Sequence, residues 1–286
     1  MKLPFVQVDA FTAMPFRGNS AAIVFLDELG VDLAVQLDGQ IASQIEARLD
    51  TVWMQALAAE MNLAETAYLS RHDDTSWNLR WFTPTVEVDL CGHATLAAAH
   101  ALWTEGRSGR DQILRFQTRS GVLTARAVGD RIELDFPALL TTPEPLPDAC
   151  RVALGIDELV HCAANPNRYW LIVLEREADV RALHPNFAAL RDGDDTYVVT
   201  AASDNAKYDF VSRYFAPSHG IDEDPVTGSA HCILGPYWAE RLGKPVVTGF
   251  QVSARTGVVE CEPRGDRVLL RGDAVTVLRG EVVAHN

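Results

Sequence analysis

Arg80-Trp81-Phe82-Thr83-Pro84 returns later in the chain, in type, as Arg213-Tyr214-Phe215-Ala216-Pro217, and each copy is followed by an acidic loop and a glycine opening an alanine-rich or apolar stretch. Further on, Phe116-Gln117 is answered by Phe250-Gln251, Ser120-Gly121-Val122 by Thr256-Gly257-Val258, and Gly129-Asp130-Arg131 by Gly265-Asp266-Arg267. Order and spacing persist, with a drift of a few residues that one short insertion explains. Such self-similarity decides architecture ahead of local propensity, and it predicts a fold made twice.

Each half reads as mixed structure. Alternating β-branched and aromatic residues predict strands over Val6 to Phe11, Ala21 to Leu26, Asn78 to Phe82, Arg131 to Phe136, Tyr169 to Leu174 and Val268 to Leu270. His93 to Trp103 is apolar nearly all round and ends near Gly106, as a helix buried on every side should. Its counterpart runs from about Ser229 to Gly243. A further helix, Thr51 to Met61, places Trp53, Leu57, Ala58 and Met61 on one face. The expected class is therefore α+β, with a curved sheet wrapped around a central helix in each half. Pro137, Pro143, Pro145 and Pro147 place the join near Phe136 to Pro147. This predicts an N-terminal half-domain over residues 1–135 and a C-terminal one over 136–286, with the last strand, about 275–286, free to pack back onto the first.

A length of 286 residues and a hydrophobic share of 48 % support a self-sufficient core. The formal charge of -14 excludes a nucleic-acid partner, whose affinity would rest on excess Lys and Arg. Cys91, Cys150, Cys162, Cys232 and Cys261 are odd in number and form no C-x-x-C pair, so neither a disulfide framework nor a zinc knuckle is expected. No pair of histidines has metal-ligand spacing. The N-terminus lacks the apolar run of a signal peptide, and no apolar stretch reaches the roughly 18 residues of a membrane span. A soluble cytoplasmic protein without metal or cofactor is the expectation.

Chemistry is expected at the two helix starts. Gly92 and Gly228 open the paired helices, where unpaired amides and the positive end of the macrodipole favour an anion and glycine admits it closely. A pseudo-twofold relation between the halves would turn both starts toward one cleft and cradle a carboxylate. The loop Asp222-Glu223-Asp224-Pro225-Val226-Thr227-Gly228-Ser229 crowds three carboxylates, whose repulsion would raise at least one proton affinity. Asp224 and Ser229 are alternatively ordinary helix caps. Glu65 follows an amphipathic helix among Leu63, Ala64, Ala67 and Tyr68, which would desolvate it toward the range useful for acid–base work. His93 sits at a helix N-terminus, where the dipole is expected to leave a neutral ring. There is no G-x-G-x-x-G after a strand, no P-loop and no G-x-S-x-G.

Four ordered motifs carry a resemblance that runs almost end to end. Val8-Asp9-Ala10-Phe11 with Gly18-Asn19, then Asn62-Leu63-Ala64-Glu65-Thr66, Cys91-Gly92-His93-Ala94-Thr95 and Asp224-Pro225-Val226-Thr227-Gly228-Ser229-Ala230 look like the signatures of PhzF-like isomerases. The resemblance implies a diaminopimelate-epimerase-like fold of two pseudo-symmetric domains, each a β-barrel-like sheet around a central helix, often as a homodimer. It implies Glu65 as general acid–base and His93, Asp224 and Ser229 around a small carboxylate-bearing substrate of the trans-2,3-dihydro-3-hydroxyanthranilate type. Related epimerases use two cysteines; Cys91 matches one, whereas Pro225 stands at the place of the second. A Cys91-dependent epimerase and a non-catalytic binding protein are the alternatives. Ser20 replaces the proline usual after Gly-Asn, and the stretch from Gly30 to Asp50 looks like an insertion that would reshape the substrate site.

Overall fold

The computed structural model describes residues 2–27 and 51–283, so the stretch read as an insertion lies outside the described residues. In chain order the first elements are β1 (Lys2–Ala10), β2 (Asn19–Phe25), α1 (Thr51–Met61), β3 (Glu65–Arg71), β4 (Ser76–Phe82), β5 (Glu87–Val88), α2 (Gly92–Thr104), β6 (Leu114–Thr118), β7 (Gly121–Val128) and β8 (Arg131–Pro137). There follow β9 (Thr142–Pro143), α3 (Asp148–Leu154), β10 (His161–Ala164), β11 (Tyr169–Val173), α4 (Glu177–Ala182), β12 (Thr196–Ala202), β13 (Phe210–Ala216) and β14 (Ile221–Asp224). The last are α5 (Gly228–Leu242), β15 (Val247–Gln251), β16 (Gly257–Arg264), β17 (Arg267–Gly272) and β18 (Ala274–Val283). The class is α+β. No described helix is long and apolar enough to cross a membrane.

The chain divides into two compact units. One holds Met1–Phe16, Ser20–Leu134 and Asp273–Asn286; the other holds Arg17–Asn19 and Asp135–Gly272.

In the first unit β2 and β3 run parallel, β3 and β4 antiparallel, β4 and β6 parallel, and β6, β7 and β8 form an antiparallel meander. β18 pairs with β1 along its length, with a bulge between Gln7 and Val8. The sheet encloses α2, of whose 13 residues ten are buried, among them Ala94, Ala97, Ala98, Ala99 and Ala101. Alanine at these positions lets strands close on the helix from several sides at interior packing density. Beyond the C-cap Glu105, Gly106 takes the left-handed φ of 67° and Arg107 donates its N–H to the carbonyl of Leu102, a common helix stop.

Helix α1 covers another face of this sheet. The sequence placed Trp53, Leu57, Ala58 and Met61 inward; the structure centres the buried stripe on Met54 and Ala58, with Trp53 and Leu57 half-buried beside it. Both stripes obey helical spacing; Met54 and Ala58 pack with Tyr68 and Phe82, and the Tyr68 hydroxyl donates to the Met54 carbonyl at 2.6 Å.

The second unit repeats the connectivity. β11 and β12 are parallel, β12 and β13 antiparallel, β13 and β15 parallel, and β15, β16 and β17 form the meander. The repeated Arg-aromatic-Phe segments occupy equivalent places, β4 and β13. Arg80 forks onto Glu87 of β5 at 2.7 and 2.9 Å, and Arg213 onto Glu223 of β14 at 2.7 and 2.8 Å. Each guanidinium also lies over the phenylalanine two residues on, Phe82 or Phe215. The motif thus recurs because each short hairpin needs the same bidentate clamp.

Helix α5 carries Pro236 in its interior. Proline has no N–H for the carbonyl four residues back, that of Cys232. That carbonyl instead accepts from the Leu139 N–H at 3.1 Å, so the segment after β8 supplies the bond the helix lacks.

Candidate active site

Glu65 is delivered by a sharp chain reversal. Helix α1 ends where Asn62 takes a left-handed φ of 48°, its N–H on the Ala58 carbonyl, and asparagine tolerates that conformation better than most residues. Three residues later Glu65 begins β3, in parallel register with Ala21 of β2. The spacing from Asn62 to Glu65 is thus the length of the turn that points a carboxylate inward, where it is 8 % exposed.

Cys91, Gly92 and His93 enter the same unit from α2. Cys91 is the N-cap, in extended conformation and without a side-chain capping bond, and Gly92 is the first helical residue. The Cys91 carbonyl anchors the first turn by accepting both the backbone N–H and the hydroxyl of Thr95. This leaves the Cys91 side chain facing the helix's second residue, His93. The Cys91 sulfur lies 3.5 Å from His93 Nδ1, and His93 Nε2 lies 3.0 Å from Glu65 Oε2. All three side chains are buried.

The electrostatics of the cluster follow from these contacts. Burial pushes the Cys91 thiol up to about 11, with the Glu65 charge adding to the effect against the imidazole and the Ala94 amide. For His93, burial opposes the charged ring, but the neighbouring Cys91 and Glu65 outweigh it and raise its proton affinity well above the ordinary histidine range. The expectation of a neutral ring was drawn from the helix end alone, and the Glu65 carboxylate at 3.0 Å acts in the opposite direction. The helix end offers only about half a positive charge, whereas Glu65 offers a full opposite charge at 3.0 Å. Glu65, His93 and Cys91 are thus gathered into one buried cluster, the imidazole 3.0 Å from the carboxylate and 3.5 Å from the sulfur.

The second unit holds the other residues singled out from sequence, and there the structure redistributes the roles. Asp222, Glu223 and Asp224 do not share one site: alternation along β14 turns Glu223 to the opposite face, and Asp222 is exposed where Asp224, two residues on, is buried. Asp222 faces Arg191 at 3.4 Å, Glu223 is clamped by Arg213, and Asp224 alone is buried. Asp224 accepts from Asn19 Nδ2 at 2.8 Å and from the Thr227 hydroxyl, so its carboxylate organises the loop ahead of α5. Asn19 also donates to the Val226 carbonyl at 3.0 Å. Gln251 closes the network, accepting from the Thr227 N–H at 2.9 Å and donating to the Asp224 carbonyl at 2.8 Å.

The N-cap of α5 is Thr227, neither Asp224 nor Ser229; Gly228 is the first helical residue and is buried, and the half-buried Ser229 follows it. Sequence reasoning missed Gln251 and Thr227 as loop clamps. It had Gly18-Asn19 only as part of a resemblance, although a glycine at φ 64° followed by a buried asparagine was a signal that the backbone there is specified. Arg255 confirms that specification by donating to the carbonyls of Gly18 at 2.8 Å and Arg17 at 3.0 Å.

Comparison with known proteins identifies the family and the fold. Residues 8–280 match the family model PhzC-PhzF, phenazine biosynthesis-like protein. An uncharacterized isomerase of Halalkalibacterium halodurans is 44 % identical over 286 residues, covering 99 % of each chain. The crystal structure of a PhzF-family phenazine biosynthesis protein of Enterococcus faecalis superposes with a TM-score of 0.86 at 36 % identity, over 99 % of this chain and 100 % of that one. A predicted epimerase of Pseudomonas aeruginosa shares the fold, with a TM-score of 0.69 at 20 % identity over 99 % and 100 % of the two chains. The chain belongs to the phenazine biosynthesis-like family and has its epimerase-like fold.

Proposed function

We propose that this family member is an isomerase that moves a proton between two carbons of a small, carboxylate-bearing cyclic substrate, with Glu65 as general base and then general acid. The observation that carries the reading is the 3.0 Å approach of His93 Nε2 to Glu65 Oε2 inside a buried cluster. A carboxylate in that position takes a proton from an acidified carbon, holds it while charge delocalises through the conjugated substrate, and returns it to a different carbon. Nothing is oxidised or reduced, and the enzyme ends with its protons where they began. The imidazole holds the carboxylate in one rotamer, and the Cys91 sulfur at Nδ1 fixes the ring. Gly92, at the start of α2, presents backbone amides where a substrate carboxylate is stabilised.

Gly228 and Ser229 offer a similar helix start in the second unit. Their part in substrate binding, with Asp224 ordering the loop, is a separate proposal that Ser229→Ala tests through a raised KM at unchanged kcat. A cytoplasmic homodimer without cofactor remains part of the same reading, tested by sedimentation of the purified chain.

The experiment is wash-in of solvent deuterium into a panel of cyclohexadiene and cyclic amino acids. Exchange present in the native protein and lost in a folded Glu65→Gln supports the assignment; equal exchange in both removes Glu65 from it. A Cys91-dependent epimerase is disfavoured because the buried thiol, pushed up to about 11, is a poor base near neutrality.

A further inference from the structure

The Glu65–Cys91–His93 cluster has a second chemical property that its proton chemistry does not require. One ligand atom from each residue, a carboxylate oxygen, a thiol sulfur and a ring nitrogen, lies within 4.8 Å of the other two. Around a tetrahedral zinc ion, bonds of about 2.0–2.3 Å put neighbouring ligand atoms roughly 3.5 Å apart. The Cys91 sulfur and His93 Nδ1 already stand at 3.5 Å. Contraction of the longer separations by about an ångström would complete three corners of such a site.

The donor set is also selective. A thiolate with an imidazole suits zinc and its neighbours and is poorly matched to magnesium or calcium, which take oxygen ligands. Two of the ligands sit two residues apart at the start of α2, and the third opens β3, so the set is held by a helix and a strand rather than by loops. Spacing among histidines could not have shown it, because the ligands are of three residue types and come from two elements.

We propose that this cluster is a binding site for a thiophilic divalent cation of the zinc type, and that the cation acts as an inhibitor. On binding, the Cys91 S–H bond breaks and a metal–sulfur bond forms, and the thiol proton leaves to solvent together with any proton on the His93 nitrogen that ligates the ion. The imidazole turns a ring nitrogen, and Glu65 an oxygen, to the ion, with the fourth position left to water. Glu65 is then a ligand and cannot accept a substrate proton. The inhibitory half of the proposal rests on the function proposed above; the binding half does not.

Cobalt(II) titration of the full chain, prepared metal-free with a chelator, reads the site through the thiolate-to-cobalt charge-transfer band. The expected result is a saturable band at one equivalent that zinc bleaches by displacement. It should be absent in Cys91→Ser, and in Glu65→Gln it should persist with a midpoint weakened by ~10-fold or more. No band in the native protein, a band surviving in Cys91→Ser, or an unchanged midpoint in Glu65→Gln would each overturn the site. Deuterium wash-in by the metal-free protein separates the two readings. Exchange without a cobalt band removes the metal site alone, and a band without exchange removes the isomerase reading alone. Where exchange occurs, one equivalent of zinc should abolish it; full exchange at saturation would refute inhibition.

Discussion

Asn19 and Asp224 are 205 residues apart in sequence, yet the Asn19 amide donates to the Asp224 carboxylate at 2.8 Å in the interior of the second unit. The same amide group reaches the Val226 carbonyl, so one short side chain holds both ends of the Asp224-Pro225-Val226 turn. The Gly18-Asn19 signature is thereby a structural clamp on the loop that starts α5.

Asn19→Ala should accordingly loosen that loop. It removes a donor from a buried carboxylate and from a carbonyl, at a cost of about 1–3 kcal/mol. Urea unfolding should show the loss, and hydrogen exchange should place it at residues 224–229 ahead of the rest of the unit. Unchanged protection there would mean that Thr227 and Gln251 hold the loop without Asn19.

Gly249 is required by a close approach. A β-carbon on it would stand 2.5 Å from two ring carbons of Phe210 and 2.9 Å from His231 Nε2. Phe210 and His231 are both fully buried and cannot swing into solvent. Gly249→Ala should therefore destabilise by ~1–3 kcal/mol, the usual cost of overpacking. A melting temperature equal to the native one would show that the pair of rings yields.

His231 gives the stability a pH dependence. Burial lowers its folded-state value to about 4, below the ordinary 6.5, with only the Thr227 carbonyl at 2.7 Å opposing. The unfolded chain then binds more protons than the folded one between those values, so stability rises with pH through that window. It is complete above about 6.5, falls as pH drops toward 4, and levels off below. The full span is on the order of 3 kcal/mol. His231→Gln should reduce the slope of the urea midpoint between pH 4 and 6.5, the remainder including His100, which burial likewise pushes down to about 4; an unchanged slope would assign all of it to other groups.

Much of this was legible in the chain itself. The repeated Arg80 and Arg213 segments, the terminating Gly106 and Gly243, and the limits of α1 are local patterns whose physics is complete within a few residues. Glu65 was legible as a candidate because it follows an amphipathic helix among the apolar Leu63, Ala64, Ala67 and Tyr68. What was not legible depends on distant partners. The crowding of Asp222, Glu223 and Asp224 disappears once each finds its own neighbour, Arg191, Arg213 and Asn19 in turn. The neighbour of His93 was not legible, because a helix end was weighed without the carboxylate that β3 brings against it. Gln251 looked like half of a repeated dipeptide, and only the folded sheet brings it to Thr227.

The central claim is that Glu65 moves the substrate proton with His93 holding its carboxylate. Deuterium wash-in, followed by mass spectrometry on the metal-free protein and its Glu65→Gln and His93→Gln variants, tests it most directly. The account predicts one exchanged carbon-bound position in the native reaction, loss of at least ~100-fold in Glu65→Gln and a smaller loss in His93→Gln, in line with the usual range of acid–base contributions. Native-rate exchange in a folded Glu65→Gln protein would contradict it.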